Sequence, residues 1–268
     1  MLYTFGDSAS FGSKFYLEGK SIEECRELSW PYLLSKRLGV ELKDYSYPAT
    51  GNWRVARILQ GLDLKPEDIV LIQWSNSYRF EMGVSEGVEC ITAPEQKFRL
   101  NELLDCFQEE DGLKTKSMCL SLVNKTTDSI DQQFMSIAYE RYFNYRWYDE
   151  MFKVMLTSCL YKLEKSGCQY MMFDGWIPAC YPEDFTDVPQ YVFRGTTMAN
   201  LKRGYPGTQL PDKSYPDERE NMFCAEILEK KYKEMYCDGN ENEDVYIDRK
   251  STRLNSSHIP LSRMPSSA

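Results

Sequence analysis

The chain has 268 residues, 42% of them apolar and 14% aromatic, with a formal net charge of −9 at pH 7. That is enough apolar material for one large core, and the acidic balance opposes nucleic acid, whose phosphates it would repel. No apolar run reaches the length of a membrane span and no leader-like stretch opens the chain. Nine scattered cysteines without a Cys-x-x-Cys pair read as reduced core thiols, and the expectation is a cytoplasmic protein without metal or cofactor.

The first element is a short apolar strand, Leu2-Tyr3-Thr4-Phe5, that runs into Gly6-Asp7-Ser8 and closes at Gly12. A serine just past a strand end sits at the rim of a sheet, where it is either a nucleophile or part of a helix N-cap. Residues 21–37 then carry apolar side chains at helical spacing, with a break near Trp30-Pro31 and a stop at Gly39. Residues 40–47 alternate as a strand does, and the loop Pro48-Ala49-Thr50-Gly51-Asn52 leads into a helix to Gly61.

Ile69-Val70-Leu71-Ile72-Gln73-Trp74 is a continuous run of the kind found in a parallel strand buried on both faces; it ends in Ser75-Asn76-Ser77. Residues 83–125 have weak periodicity with Gly and Pro breaks and are taken as an insertion or lid. Helical spacing returns over 129–165, Gly167 stops it, and residues 168–174 make a further strand before the turn signal Asp174-Gly175. Residues 178–211 read as loop, and 218–236 as a closing helix. Strands alternating with helices predict a mostly parallel sheet covered on both faces, with its site outside the carboxyl ends of the strands.

The tail stands apart. Asp248 to His258 is what a common sequencing-library adapter encodes in one reading frame, so 248–268 is taken as foreign and 1–247 as a single domain. Setting the tail aside removes four basic residues and one acid, leaving a body more acidic still. It also removes His258, the single histidine.

Three short motifs at strand ends, in this order, resemble those of the SGNH/GDSL-type hydrolases. Gly6-Asp7-Ser8 is similar to the family's first block, Gly51 fits the second, and Trp74-Ser75-Asn76-Ser77 lies at the place of the third, usually Gly-x-Asn-Asp. The resemblance implies a three-layer α/β/α flavodoxin-like fold with a central mostly parallel sheet. It also implies a nucleophilic Ser8 and an oxyanion hole made by the N–H of Ser8, the N–H of Gly51 and the amide of Asn76. Trp74 and Ser77 depart from the pattern, Trp74 with the bulk to narrow a pocket.

The fourth block, Asp-x-x-His-Pro, is similar to Asp212-Lys213-Ser214-Tyr215-Pro216, with tyrosine in place of the base. A phenol with an ordinary pKa near ~10 is a poor proton acceptor at neutral pH, so the chain as written reads as a weakened or inactive hydrolase. One base change separates a histidine codon from a tyrosine codon. The reading is a serine ester hydrolase for a small acyl or acetylated-sugar ester, a small-molecule ester or glycan being its partner. A non-catalytic binding or assembly protein of the same fold is the alternative. Neither Gly-x-x-x-x-Gly-Lys nor Gly-x-Gly-x-x-Gly is present, which weakens a nucleotide-binding reading.

Overall fold

The computed structural model describes residues 1–47, 51–75, 79–83, 108–110, 113–119, 137, 144–175, 188, 192 and 216–237. Four strands form one all-parallel sheet: β1 (Leu2–Phe5), β2 (Leu42–Asp44), β3 (Ile69–Trp74) and β7 (Gln169–Asp174). Their spatial order is β2-β1-β3-β7, with Leu2 paired to Leu42 on one side and to Ile69 on the other, and Ile69 paired to Gln169. This is the order in which a flavodoxin-like sheet begins. The chain goes outward from β1 to β2, then crosses back over β1 to β3, so the connections leaving β1 and β3 turn to opposite faces. In sheets of this order, binding crevices form outside the carboxyl ends of the two strands at the switch point.

Burial on both faces explains why β3 carries almost no polar side chain. Leu71 and Ile69 point to the face covered by α4 (Trp30–Leu38) and α7 (Glu218–Tyr236), where they join Leu2, Trp30, Leu34, Met171, Phe173 and Leu228. Val70, Ile72 and Trp74 point to the face covered by α5 (Asn52–Gly61) and α6 (Tyr145–Ser166), against Phe5, Leu59, Phe152, Leu156 and Met172. The period of two splits one apolar run between two cores, and the fold is a three-layer α/β/α sandwich.

Most boundaries are set locally. The 21–37 stretch splits into α3 (Ile22–Glu27), with a Ser21/Glu24 capping box, and α4, which starts at Trp30 with Pro31 in its first turn. Gly39 and Gly167 end α4 and α6 at φ 67° and 69°, the left-handed region. Asp217 caps α7 with a second capping box to Glu220.

Two parts show elements that the sequence did not reveal. The loop after Ser8 is helical, α1 (Ser8–Phe11) and α2 (Ser13–Leu17) hinging at Gly12. Four and five residues are too few to show a period. Within 79–119 the described residues form a separate antiparallel sheet of β4 (Arg79–Gly83), β6 (Leu113–Cys119) and β5 (Gln108–Glu110), in that order. Strands as polar as Gln108-Glu109-Glu110 give no alternation to read. Most of 84–143 and the 248–268 tail lie outside the described residues.

Asp44 ends β2 with its Oδ1 accepting from Thr4 Oγ1 at 2.8 Å and from Ser46 N at 2.9 Å, while its Oδ2 is covered and has no partner. Although the residue as a whole is half-buried, desolvation pushes its carboxyl up. A raised carboxyl means that the folded chain holds the proton more tightly than the unfolded chain. Its contribution to stability is therefore fully present below the ordinary aspartate range near ~3.9 and is lost as pH rises through the folded value. Asp44→Asn should abolish this slope and raise the urea midpoint at pH 8 relative to the parent. A difference between the two proteins that stays constant from pH 4 to 8 would refute it.

Candidate active site at the carboxyl edge of the sheet

The turn after β1 is shaped by two glycines for different reasons. Gly6 has no positive φ; it is required because a Cβ there would lie 2.1 Å from Ser10 Oγ and 2.6 Å from Ser10 Cβ. Close packing of α1 on the strand end, and not a special backbone shape, is what excludes a side chain. Gly12 needs both, at φ 82° and with a Cβ that would meet the carbonyl oxygen of Cys25 at 2.5 Å.

The helix cap falls one residue before the serine. Asp7 is the N-cap of α1, its carboxylate accepting from Ala9 N at 3.0 Å, so Ser8 is the first helical residue. Ser8 is 4% exposed, and its hydroxyl takes part neither in the cap nor in the hydrogen bonds around it.

Those hydrogen bonds form a buried network. Gln73, inside β3, donates Nε2 to Asp7 Oδ1 at 2.8 Å and accepts at Oε1 from Ser10 Oγ at 2.5 Å. Ser75 Oγ donates to the other carboxylate oxygen of Asp7 at 3.2 Å. Asn52, the first residue of α5, grips the main chain of Ser75 from both sides, accepting from Ser75 N at 2.7 Å and donating to Ser75 O at 2.9 Å. Asp7, Gln73, Ser75 and Asn52 are each 3% exposed or less. These hydrogen bonds to the buried carboxyl of Asp7 lock together the ends of β1 and β3 and the start of α5.

Gly51 stands in this assembly as the buried N-cap of α5, extended at φ −92° and ψ 164°. Trp74 does not enter the crevice. Its ring is fully buried in the opposite core, edge-on to Phe152 at 5.5 Å, so the pocket is not narrowed by it. Gly175 gains a reason: a Cβ there would meet Trp74 O at 2.8 Å and Gln73 Nε2 at 2.9 Å, so β7 can close on the network only with glycine.

Asn76, Asp212 and Tyr215 lie outside the described residues. Their flanks are placed. Ser75, before Asn76, is held by Asn52. Pro216, after Tyr215, offers its carbonyl to Asn221 Nδ2 at 3.3 Å. Ser8 and Gly51, together with the residue preceding Asn76, gather at the switch crevice.

Comparison with known proteins adds little to this geometry. No family model matches the chain, and no curated protein matches it. A solved structure, that of a G-D-S-L family protein from Desulfitobacterium hafniense DCB-2, is similar over 86% of this chain and 98% of its own, at 11% identity and a TM-score of 0.38. At that level the likeness carries no argument about this chain. The flavodoxin-like order rests on the strand registers themselves.

Reading the sequence overlooks Gln73, Ser75 and Asn52 as site residues. The signal was a single amide in an otherwise apolar strand: Gln73 belongs to a run buried on both faces, where a polar side chain requires partners.

Among the described residues no helix is long and apolar enough to cross a membrane. Cys25, Cys159, Cys168 and Cys224 are buried and in no disulfide, and desolvation pushes the Cys159 thiol up to about 12.

Proposed function

We propose that the chain is an SGNH/GDSL-type serine ester hydrolase in which Ser8 is the nucleophile and a small acyl or acetylated-sugar ester is the substrate. The observation that carries the reading is the unengaged hydroxyl of Ser8, placed at the switch crevice by a cap that Asp7 supplies in its stead. In this reading the N–H groups of Ser8 and Gly51 and the amide of Asn76 receive the oxyanion, each worth about 3–4 kcal/mol of transition-state stabilisation. Asp212 would orient a base at position 215. Tyr215 supplies none at neutral pH, so attack by Ser8 goes without a general base and turnover in this chain is slow.

The test is hydrolysis of p-nitrophenyl acetate by the parent and by Ser8→Ala. The parent is expected to exceed Ser8→Ala by about 10-fold or more, a residual rate of the kind left when one triad member is missing. Equal rates in the two proteins, at every pH from 6 to 9, would defeat a nucleophilic role for Ser8 in this chain.

The second reading, a binding or assembly protein of the same fold, draws on Tyr215 itself. Saturable binding of an acetylated oligosaccharide without Ser8-dependent release of acetate would favour it.

A further inference from the structure

Asparagine is strongly favoured as a helix cap, yet in α5 the cap is Gly51 and the asparagine follows it, as Asn52. Glycine has no side chain with which to cap, and the amide of Asn52 makes its bonds to the end of β3 instead. Asn52 is 1% exposed, its Oδ1 accepting from Ser75 N at 2.7 Å and its Nδ2 donating to Ser75 O at 2.9 Å. One hydrogen bond is a pivot; a pair to the N–H and the carbonyl of the same residue fixes both position and rotation.

What the pair fixes is the start of α5 relative to the serine turn. Gly51 is bonded to Asn52 through the chain, and its carbonyl accepts from Arg54 N at 3.2 Å, so its backbone moves with the first turn of that helix. On the other side of Ser75 the connection continues. Its Oγ donates to Asp7 Oδ2 at 3.2 Å, and Asp7 Oδ1 accepts from Ala9 N at 3.0 Å, across Ser8. The buried side chains of Asn52, Ser75 and Asp7 thus tie the backbone of Gly51 to that of Ser8.

We propose that Asn52, acting through Ser75 and Asp7, is a positioning residue that sets how the main-chain N–H groups of Ser8 and Gly51 converge on one oxygen of a tetrahedral intermediate. This inference rests on the hydrolase reading above. The physical reason is geometric: two donors carried by separate elements stabilise one developing charge only when both lie about 3 Å from the same point. A misplacement of about 1 Å can cost on the order of 10²-fold in rate.

The test compares the full-length parent with Ser8→Ala, Asn52→Asp and Ser75→Ala. Phenylboronic acid is the probe, because its tetrahedral, anionic adduct with a serine hydroxyl forms without a general base; its Kd is read by calorimetry. Binding in the parent should depend on Ser8. At pH 8, Asn52→Asp is expected to weaken it about 10-fold and to lower the Ser8-dependent kcat for p-nitrophenyl acetate by as much, with KM within twofold of the parent. The introduced carboxylate can accept from Ser75 N but cannot donate to Ser75 O. At pH 5 burial favours its neutral form, which can do both, so its Kd should return to within about threefold of the parent's at that pH. Ser75→Ala keeps both bonds to Asn52 and drops the link to Asp7, and should weaken binding by about threefold or more.

Ser8-dependent binding that both variants leave within twofold of the parent would overturn the positioning role and leave the hydrolase reading intact. A loss in Asn52→Asp that persists at pH 5 would overturn it too, since a general loosening of the fold has no reason to reverse on protonation. An effect of Asn52→Asp without one of Ser75→Ala would overturn the route through Asp7. A parent that shows Ser8-dependence in neither binding nor hydrolysis would defeat the hydrolase reading, and the inference with it; should Asn52→Asp fail to fold, Ser75→Ala decides.

Discussion

Tyr215→His is expected to raise kcat/KM for p-nitrophenyl acetate by about 10²- to 10³-fold, the span that a positioned general base contributes. The gain should vanish when Ser8→Ala is added, because the base acts only on that hydroxyl. Its pH dependence has a definite sign. The neutral imidazole is the acceptor, so the gained activity should rise with pH through a midpoint near ~6.5 and level off above it. Parent activity, lacking an imidazole, should show no such inflection. A gain below threefold, or one that survives Ser8→Ala, would mean that position 215 does not face Ser8. The assignment of Asp212 would fall with it, since Asp212 is placed by the same motif.

Gln73→Leu should cost about 2–4 kcal/mol of stability in urea denaturation. The substitution keeps the volume and removes two buried hydrogen bonds, leaving Ser10 Oγ without its acceptor and Asp7 Oδ1 with one donor fewer. Gln73→Glu separates the hydrogen bond from the shape. It can still accept from Ser10, but its second oxygen would face the carboxylate of Asp7 where an amide donor stood. Two buried carboxylates at hydrogen-bonding distance resist joint ionisation, so this variant should lose stability as pH rises from 5 to 8 relative to the parent. If both variants stay within 0.5 kcal/mol of the parent at pH 8, the network does not hold the serine turn in solution. A loss of stability together with a fall in Ser8-dependent turnover is the expected joint outcome, since the same amide braces both ends of the turn that presents Ser8.

A buried amide of this kind is common to both conclusions drawn from the structure. Gln73 braces the serine turn from below, and Asn52 braces the start of α5 against the end of β3. Each is an amide because the task requires donating from one atom and accepting at another; a carboxylate cannot donate, and a hydroxyl does both only at a single oxygen. The apolar surroundings make each bond costly to leave unmade, and so make the arrangement specific.

Several features were legible in the residues alone. The period of two in 69–74, the glycine stops at Gly39 and Gly167, and the capping residues Ser21 and Asp217 act within a few residues of themselves, so their signals survive in a linear string. The α/β class and the placing of Ser8 and Gly51 beyond strand ends followed from that order of elements. The short helices α1 and α2 and the polar strands β4 to β6 did not, because each is too brief or too polar for periodicity to register.

Other things were decided only in three dimensions. That β3 lies beside β1, and not beside β2, creates the crevice, and strand order leaves no mark on local sequence. Nothing local marks why position 6 is glycine; the contact with Ser10 shows that it makes room for a neighbour. Gln73, Asn52 and Asn221 find partners 23 to 191 positions away, pairings that composition and spacing cannot encode. The sequence determined by itself that a serine would stand at the end of the first strand with no histidine in the body of the chain to serve it. Only the tertiary structure decided that Asp7 takes the capping role and leaves the hydroxyl of Ser8 unengaged, because the cap depends on the path of the backbone after the strand.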